Sequence, residues 1–155
     1  MTISLEVIQA TIQNLDELAV LFNQYRIFYK QESNIEVAKQ FLFERLSYME
    51  STIFLVLDKA SQRTIGFTQL YPSFSSISME RVWILNDLYV VEQYRNLGAA
   101  QLLLEAAKSY AVQTKAKGIG LSTAINNDRA QHLYEKNGYI RDTEFYHYFL
   151  YAGKN

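Results

Sequence analysis

Residues 90–104 read VVEQYRNLGAAQLLL, an apolar strand that passes through an Arg-x-x-Gly-x-Ala turn straight into an amphipathic helix. The first turn of a helix has no carbonyl partners for its N–H groups, so those of residues 96–101 aim along the new axis and form an anion cradle. Gly98 keeps a side chain out of the way of a close ligand. The turn thus predicts phosphate contacts from Arg95, Asn96, Leu97, Gly98, Ala99, Ala100 and Gln101. Glycine in such a turn also serves purely steric ends, and the deciding signal lies further along the chain.

Working outward from this segment, residues 82–91 form the strand that feeds it, and residues 99–115 form the helix that leaves it, with Leu102, Leu103, Ala106 and Tyr110 on one face. Upstream, residues 3–9 alternate like a strand. Asn14 or Asp16 then caps a helix with Leu15, Leu18, Ala19, Phe22, Tyr25 and Tyr29 at helical spacing. A second helix covers 36–48, and two β-rich runs, 53–57 and 64–71, flank a polar turn as a hairpin. Downstream, 119–124 reads as a buried strand, 128–136 as a short helix stopped by Asn137-Gly138, and 143–151 as an alternating terminal strand. The order β, α, α, β, β, β, α, β, α, β, β calls for an α/β (α+β) fold with a central mixed, mostly antiparallel sheet and helices on both faces.

Composition narrows the function. The 155 residues suit a single domain, 1–155, and with 49% hydrophobic residues and one proline they suit an ordered core. A formal charge of −1 with scattered basic residues gives no footprint for nucleic acid. No cysteine and only His132 and His147 exclude disulfides, thiol nucleophiles and the common Cys/His zinc sites. The N-terminus lacks the pattern of a signal peptide and no apolar run is long enough to span a membrane, so the expectation is a cytoplasmic protein.

Residues 127–139 read NDRAQHLYEKNGY, with Asn127, Ala130, Leu133, Tyr134, Gly138 and Tyr139 spaced as N-x-x-A-x-x-L-Y-x-x-x-G-Y. Together with the Arg95, Gly98, Ala100 turn, this segment resembles the GNAT superfamily, the acetyl-CoA-dependent N-acetyltransferases, whose order of elements matches nearly the whole chain. Two departures stand out: Glu92 where many relatives have proline, and Asn96-Leu97 in place of a glycine-plus-base pair. They leave fewer positive charges around the pyrophosphate, which points to weaker cofactor binding, with Arg95 and the helix dipole remaining.

The resemblance implies a division of labour. Backbone groups near Leu88 and Val90 bind the pantetheine arm and polarise the acetyl carbonyl, an oxyanion hole of fixed dipoles. Asn127 hydrogen-bonds the pantetheine. An Asn-Asp pair is also an ordinary N-cap, and both roles hold together if Asp128 does the capping. Tyr134 lies near the coenzyme sulfur as general acid; the plain alternative is a helix tyrosine packing on the sheet. A phenol at about 10 and a thiol near 8.5 make full proton transfer to the thiolate uphill by roughly 2 kcal/mol. Tyr134 therefore serves better as a hydrogen-bond donor to the departing sulfur, unless its pKa is lowered.

Asp87 sits inside the apolar run WILNDLYVV, residues 83–91, where an unpaired carboxylate is expensive to bury. It either holds or deprotonates a substrate ammonium or is satisfied by backbone N–H groups near a helix start. Polyamine-acetylating relatives often carry glutamate at the position of Asn86, an amide that cannot act as base; Glu80 is a fallback. In the family it resembles, the acceptor is usually chosen by the first two helices and the loop before the long strand, here QYRIFYKQES and YPSFSSISMER. Tyr25, Tyr29, Tyr71 and Phe74 then form an aromatic wall for a cationic amine, each worth up to about 2 kcal/mol when desolvated, while Phe28 reads rather as core. Arg26 suggests an acidic group on the acceptor or a plain exposed cation, and His132 reads as surface.

The preferred reading is an N-acetyltransferase that uses acetyl-CoA on a small-molecule primary amine, by direct attack in a ternary complex. The alternatives are acetylation of a protein lysine or N-terminus and a non-catalytic acyl-CoA-binding regulatory domain. The motifs of nucleotide-binding modules are absent. The aromatic terminal segment 143–151 is of a kind that supports homodimers in relatives.

Overall fold

The strand β2, Thr52–Asp58, is the apolar run TIFLVLD and is buried on both faces. Ile53, Leu55 and Leu57 join Leu18, Ala19, Leu21 and Phe22 of one helix and Ala38 and Leu42 of the next. The alternate residues turn the other way: Phe54 packs edge-on against Tyr110 at 5.6 Å, and the Thr52 hydroxyl donates to the Tyr110 hydroxyl at 3.1 Å. A period of two along one strand thus fixes helices on both sides of the sheet.

The computed structural model describes residues 3–153, which fall into two compact units meeting in sequence at Ser122 and Thr123. The first contains β1 (Leu5–Gln9), a 3-10 turn (Ile12–Asn14), α1 (Leu15–Phe28), α2 (Ile35–Ser47), β2, β3 (Arg63–Ser75), β4 (Glu80–Val90), α3 (Ala99–Gln113) and β5 (Gly118–Gly120); the second contains α4 (Asp128–Lys136). The sheet order is β1-β2-β3-β4-β5, antiparallel except for the parallel pair β4 and β5. Phe67 of β3 is fully buried, ringed by Phe22, Tyr25 and Tyr89. Burying such a side chain contributes about 1.5–3 kcal/mol.

One irregularity positions the site. Gln69 of β3 lies opposite Asp87 but Leu70 lies opposite Leu85, so Asn86 is an extra residue in β4. A strand shifted by one residue exchanges its faces. Before the bulge Trp83 faces α3, its ring 5.2 Å from Tyr110 and its Nε1 donating to Thr114 Oγ1 at 2.9 Å. After it Asp87 shares a side with Tyr89, whose ring meets Tyr25, Phe28 and Phe67 on the α1 side.

Several expected elements differ. Asn14 holds the N-cap position of α1, one of the two expected, but its side chain makes no capping hydrogen bond to that helix. Thr11 builds a capping box ahead of a 3-10 turn, with Asn14 reciprocating to the Thr11 N–H. The strand expected over 119–124 is only three residues long and is not buried. Its ladder with β4 stops at Ile84, just before the bulge rotates β4, and its two glycines offer little side chain to pack. The terminal strand expected over 143–151 is not formed. Asp142 Oδ1 accepts from the N–H groups of Glu144 and Phe145, turning the chain, and residues 146–151 make no ladder among the described residues.

A methyl on Gly66 would lie 2.8 Å from the Tyr89 carbonyl oxygen and 3.0 Å from Val56 Cγ1. Gly66→Ala is therefore expected to lower the unfolding free energy in urea by about 1–3 kcal/mol. Gly118→Ala, where the methyl meets open space, should stay within about 0.5 kcal/mol of the parent; equal effects at both positions would contradict this packing.

Candidate active site

The cradle begins where β4 ends. The Val91 N–H donates to the Ile65 carbonyl at 2.8 Å. Antiparallel alternation then turns the backbone groups of Leu88 and Val90 away from β3, toward the side on which the ladder with β5 has already stopped. A 3-10 turn, Glu92–Tyr94, leads to Arg95, and Asn96 takes φ 65° and Gly98 φ 90° before α3 starts. Asparagine tolerates the left-handed region better than most residues, so Asn96 makes the turn that glycine would otherwise supply. Gly98 is the N-cap of α3 and no side chain caps the helix; a methyl there would have no atom within 4 Å. The first intrahelical bond is Leu102 N–H to Gly98 carbonyl, 3.1 Å. The N–H groups of Ala99, Ala100 and Gln101 precede it and point into that space.

Two side chains of the turn serve the turn itself. Arg95 Nε donates to the Val90 carbonyl at 2.9 Å, and its guanidinium lies 5.0 Å from the Phe28 ring centre and 5.7 Å from that of Tyr89. Gln101 reaches along the helix to Glu105. The anion site is thus mainly backbone, with Leu97 exposed beside it.

Asp87 is buried, and among the described residues neither backbone N–H groups at a helix start nor a cation balances its carboxylate. Gln69 Nε2 donates to Oδ2 at 2.8 Å and Asn86 Nδ2 to Oδ1 at 3.2 Å, while Thr68 Oγ1 donates to its main-chain carbonyl. Asn86, unable to act as base, orients the carboxylate instead. Gln69 is the residue that sequence reasoning missed. It is fully buried, its Oε1 finds no hydrogen-bond partner among the described residues, and its signal was the same as that of Asp87, a polar side chain inside an apolar run, IGFTQLY. Tyr71 stands on the same face. Burial, then the charge of Asp87, pushes its phenol up to about 12, with Arg45 and Gln69 acting the other way.

The expected aromatic wall is only partly assembled. Tyr25 packs on Phe67 and Tyr89, and Tyr29 sits edge-on to Tyr25 at 5.1 Å. Phe28 is 56% exposed rather than core, its ring between Tyr29 and the Arg95 guanidinium. Phe74 does not belong to the wall. It is three residues from Tyr71 on one strand, hence on the opposite face, where Arg81 stacks over both Phe74 and Trp83. Arg26 holds the α1–α2 loop by donating to the Glu32 carbonyl, and Glu80 is exposed at the start of β4.

Within the second unit, Asn127 itself caps α4, its Oδ1 accepting from the Ala130 N–H at 3.1 Å, so the capping expected of Asp128 falls to Asn127. The Tyr134 carbonyl accepts from the N–H groups of Asn137 and Tyr139, and Gly138 at φ 92° completes the helix stop. The Tyr134 and Tyr139 rings meet at 5.7 Å, and burial, then Tyr134, raises the Tyr139 phenol to about 12. His132 is exposed, as expected.

A strand edge left open by a bulge, continuing into a glycine turn and an uncapped helix start, is matched over residues 15–139 by the model of the acetyltransferase (GNAT) family. The chain belongs to the GNAT family. This acetyltransferase is 50% identical over 142 residues to the uncharacterized N-acetyltransferase YhfO of Bacillus subtilis, covering 92% of this chain and 94% of that one. It is 32% identical to a D-amino-acid N-acetyltransferase of Saccharomyces cerevisiae, covering 81% and 79%. A crystal structure of a probable acetyltransferase superposes with a TM-score of 0.92 at 45% identity, covering 97% and 99%. The enzyme is an N-acetyltransferase and acetyl-CoA is its donor. The residues present fit that donor, because the helix start is free of a side-chain cap and a Cβ-sized space over Gly98 is open. Among the described residues, no helix is long and apolar enough to cross a membrane.

In an alkaline absorbance titration, Tyr71 and Tyr139 should stay neutral until about pH 12, above the ordinary phenol value of about 10. Tyr71→Phe and Tyr139→Phe should each delete one late step. Since the folded pKa exceeds the unfolded one, the unfolded chain releases these protons first, and stability should fall from about pH 10 toward 12. Loss of an early step instead would refute the assignment.

Proposed function

We propose that this acetyltransferase acetylates a primary amine of a small molecule, by direct attack on the donor while both are held together, and that residues 1–155 act as one N-acetyltransferase domain. The family match supports the latter, since it runs across the sequence boundary between the two units. The observation that carries the first is the buried Asp87 carboxylate. It is clamped by Gln69 and Asn86 on the face that holds Tyr71 and Tyr89, with Tyr25 packed on Tyr89 and Tyr29 on Tyr25. An aromatic surface with one oriented carboxylate suits an ammonium group. The D-amino-acid relative supports an acceptor of small size.

Acetyl-CoA supplies the acetyl group as a thioester, which a neutral amine attacks without metal or covalent enzyme. In this reading the backbone of residues 96–101 holds the diphosphate, and Asn127, whose Oδ1 is taken by the α4 cap, donates from Nδ2 to the pantetheine arm. Asp87 receives the ammonium and takes its proton, directly or through water. Tyr25, Tyr29 and Tyr71 orient the carbon skeleton, and such positioning lowers the barrier by up to about 7–11 kcal/mol. The N–H groups of Leu88 and Val90 meet the charge that develops on the acetyl oxygen. Tyr134 donates a hydrogen bond to the departing sulfur.

A thiol-release assay over a panel of small primary amines, D-amino acids included, tests this. A saturable acceptor should appear; Asp87→Asn should lower kcat/KM by about 10²–10⁴, and Tyr134→Phe should lower kcat by about 10–10³ with the fold intact. Turnover on peptide lysines alone would replace the small-molecule reading. A thermal shift with acetyl-CoA but no acceptor, unaffected by the two substitutions, would instead favour a binding domain.

A further inference from the structure

The residues around Phe74, which the aromatic wall leaves out, line a cavity of their own. Within the first unit a space of about 840 Å³ opens at the far end of the sheet, on the side of α3. Its floor is the block of β3 and β4 in which Pro72 pairs with Trp83 and Phe74 with Arg81, and the end of α3, with Tyr110 and Thr114, forms a wall. The volume is that of a small-molecule pocket. The diphosphate cradle lies at the other end of α3, 15 residues away, or roughly 20 Å at the rise of a helix. Asp87 faces the opposite side of the sheet from Trp83.

The chemistry of this cavity has a definite sign. Among the described residues Arg81 is the one charged side chain of the lining, and it makes no ion pair. Its guanidinium is held over two rings, 5.0 Å from the centre of Phe74 and 5.1 Å from that of Trp83. Stacking uses the faces of a guanidinium and leaves its N–H edge, a fork that matches a carboxylate. Hydroxyl groups add further donors. Thr52 Oγ1 and the Tyr110 hydroxyl, 3.1 Å apart, spend one proton between them and keep the other. Ser51, in the same lining, has a shielded hydroxyl that turns on a single torsion and has no partner among the described residues. Trp83 Nε1 is already given to Thr114 Oγ1, so the indole offers the cavity only its face. One cation and several hydroxyl donors beside ring faces select a ligand that is anionic at one end and flat and apolar at the other.

We propose that this cavity binds an aromatic carboxylate, at a site separate from those of acetyl-CoA and the acceptor amine. The carboxylate meets the Arg81 fork and the hydroxyl pair of Thr52 and Tyr110, and the ring lies against Trp83. This inference does not depend on which amine is acetylated.

Trp83 is the one tryptophan of the chain, so its emission reports on the cavity directly. Phenylacetate, transparent where tryptophan alone is excited, is titrated into the full chain, with 2-phenylethanol as its uncharged counterpart. The expected result is a saturable change in emission, with the alcohol weaker by about tenfold or more and the affinity for phenylacetate unchanged by saturating acetyl-CoA. Arg81→Gln should weaken phenylacetate binding by about tenfold or more while keeping the thermal shift with acetyl-CoA. Phe74 is 68% exposed, a position that tolerates replacement, and Phe74→Ala should weaken binding by about threefold to tenfold. No saturable change at millimolar phenylacetate would overturn the proposal, as would equal binding of the alcohol, displacement by acetyl-CoA, or undiminished binding by either folded variant.

Discussion

The extra residue Asn86 is the constraint on which the rest of the site depends. Were Asn86 paired in a regular ladder instead of bulged out, the alternation of β4 would carry Asp87 to the side of Trp83 and Leu85, against α3 and away from every aromatic residue of α1. With it the strand reverses face, Asp87 meets Gln69, and Tyr89 drops into the cluster of Tyr25, Phe28 and Phe67. The same bulge comes directly after the last β4–β5 pair, Ile84 with Gly120. One inserted residue therefore both aims the carboxylate and frees the backbone of Leu88 and Val90.

Burying Asp87 is costly, and the surroundings offset that cost with amide dipoles rather than with a cation. Two side-chain amides orient both carboxylate oxygens while leaving the charge uncancelled. An arginine in their place would hold the carboxylate as firmly but cancel its charge. The lone Gln69 Oε1 and the hindered ionisation of Tyr71 belong to the same arrangement, in which a polar group is kept dry beside a charge.

The sequence announced those features whose conformational needs are local. Gly98 and the uncapped helix start come from backbone geometry over a few residues, and the motif from Asn127 to Tyr139 is a helix with its cap and stop. Features set by long-range pairing were hidden. Phe74 and Tyr71 look adjacent in a loop, yet Ser75 pairs with Glu80 and Phe74 with Arg81, which makes the stretch a strand and sends the two rings to opposite faces. Gln69 was legible in principle, by the argument already applied to Asp87, but its partner lies 18 residues away. The terminal segment is strand-like in pattern only; alternation describes a strand's faces and says nothing about where its edges find a ladder.

Arg95 stands at once in the phosphate turn and under the aromatic residues of α1 and β4. Its flat guanidinium, stacked on Phe28 and Tyr89 while its Nε holds the Val90 carbonyl, has no equivalent in lysine. In the reading proposed above, donor and acceptor recognition then share one hinge pin. A lineage that altered this position to retune its grip on the coenzyme would also reshape the surface proposed to choose the amine, and the two specificities would be inherited as a linked trait.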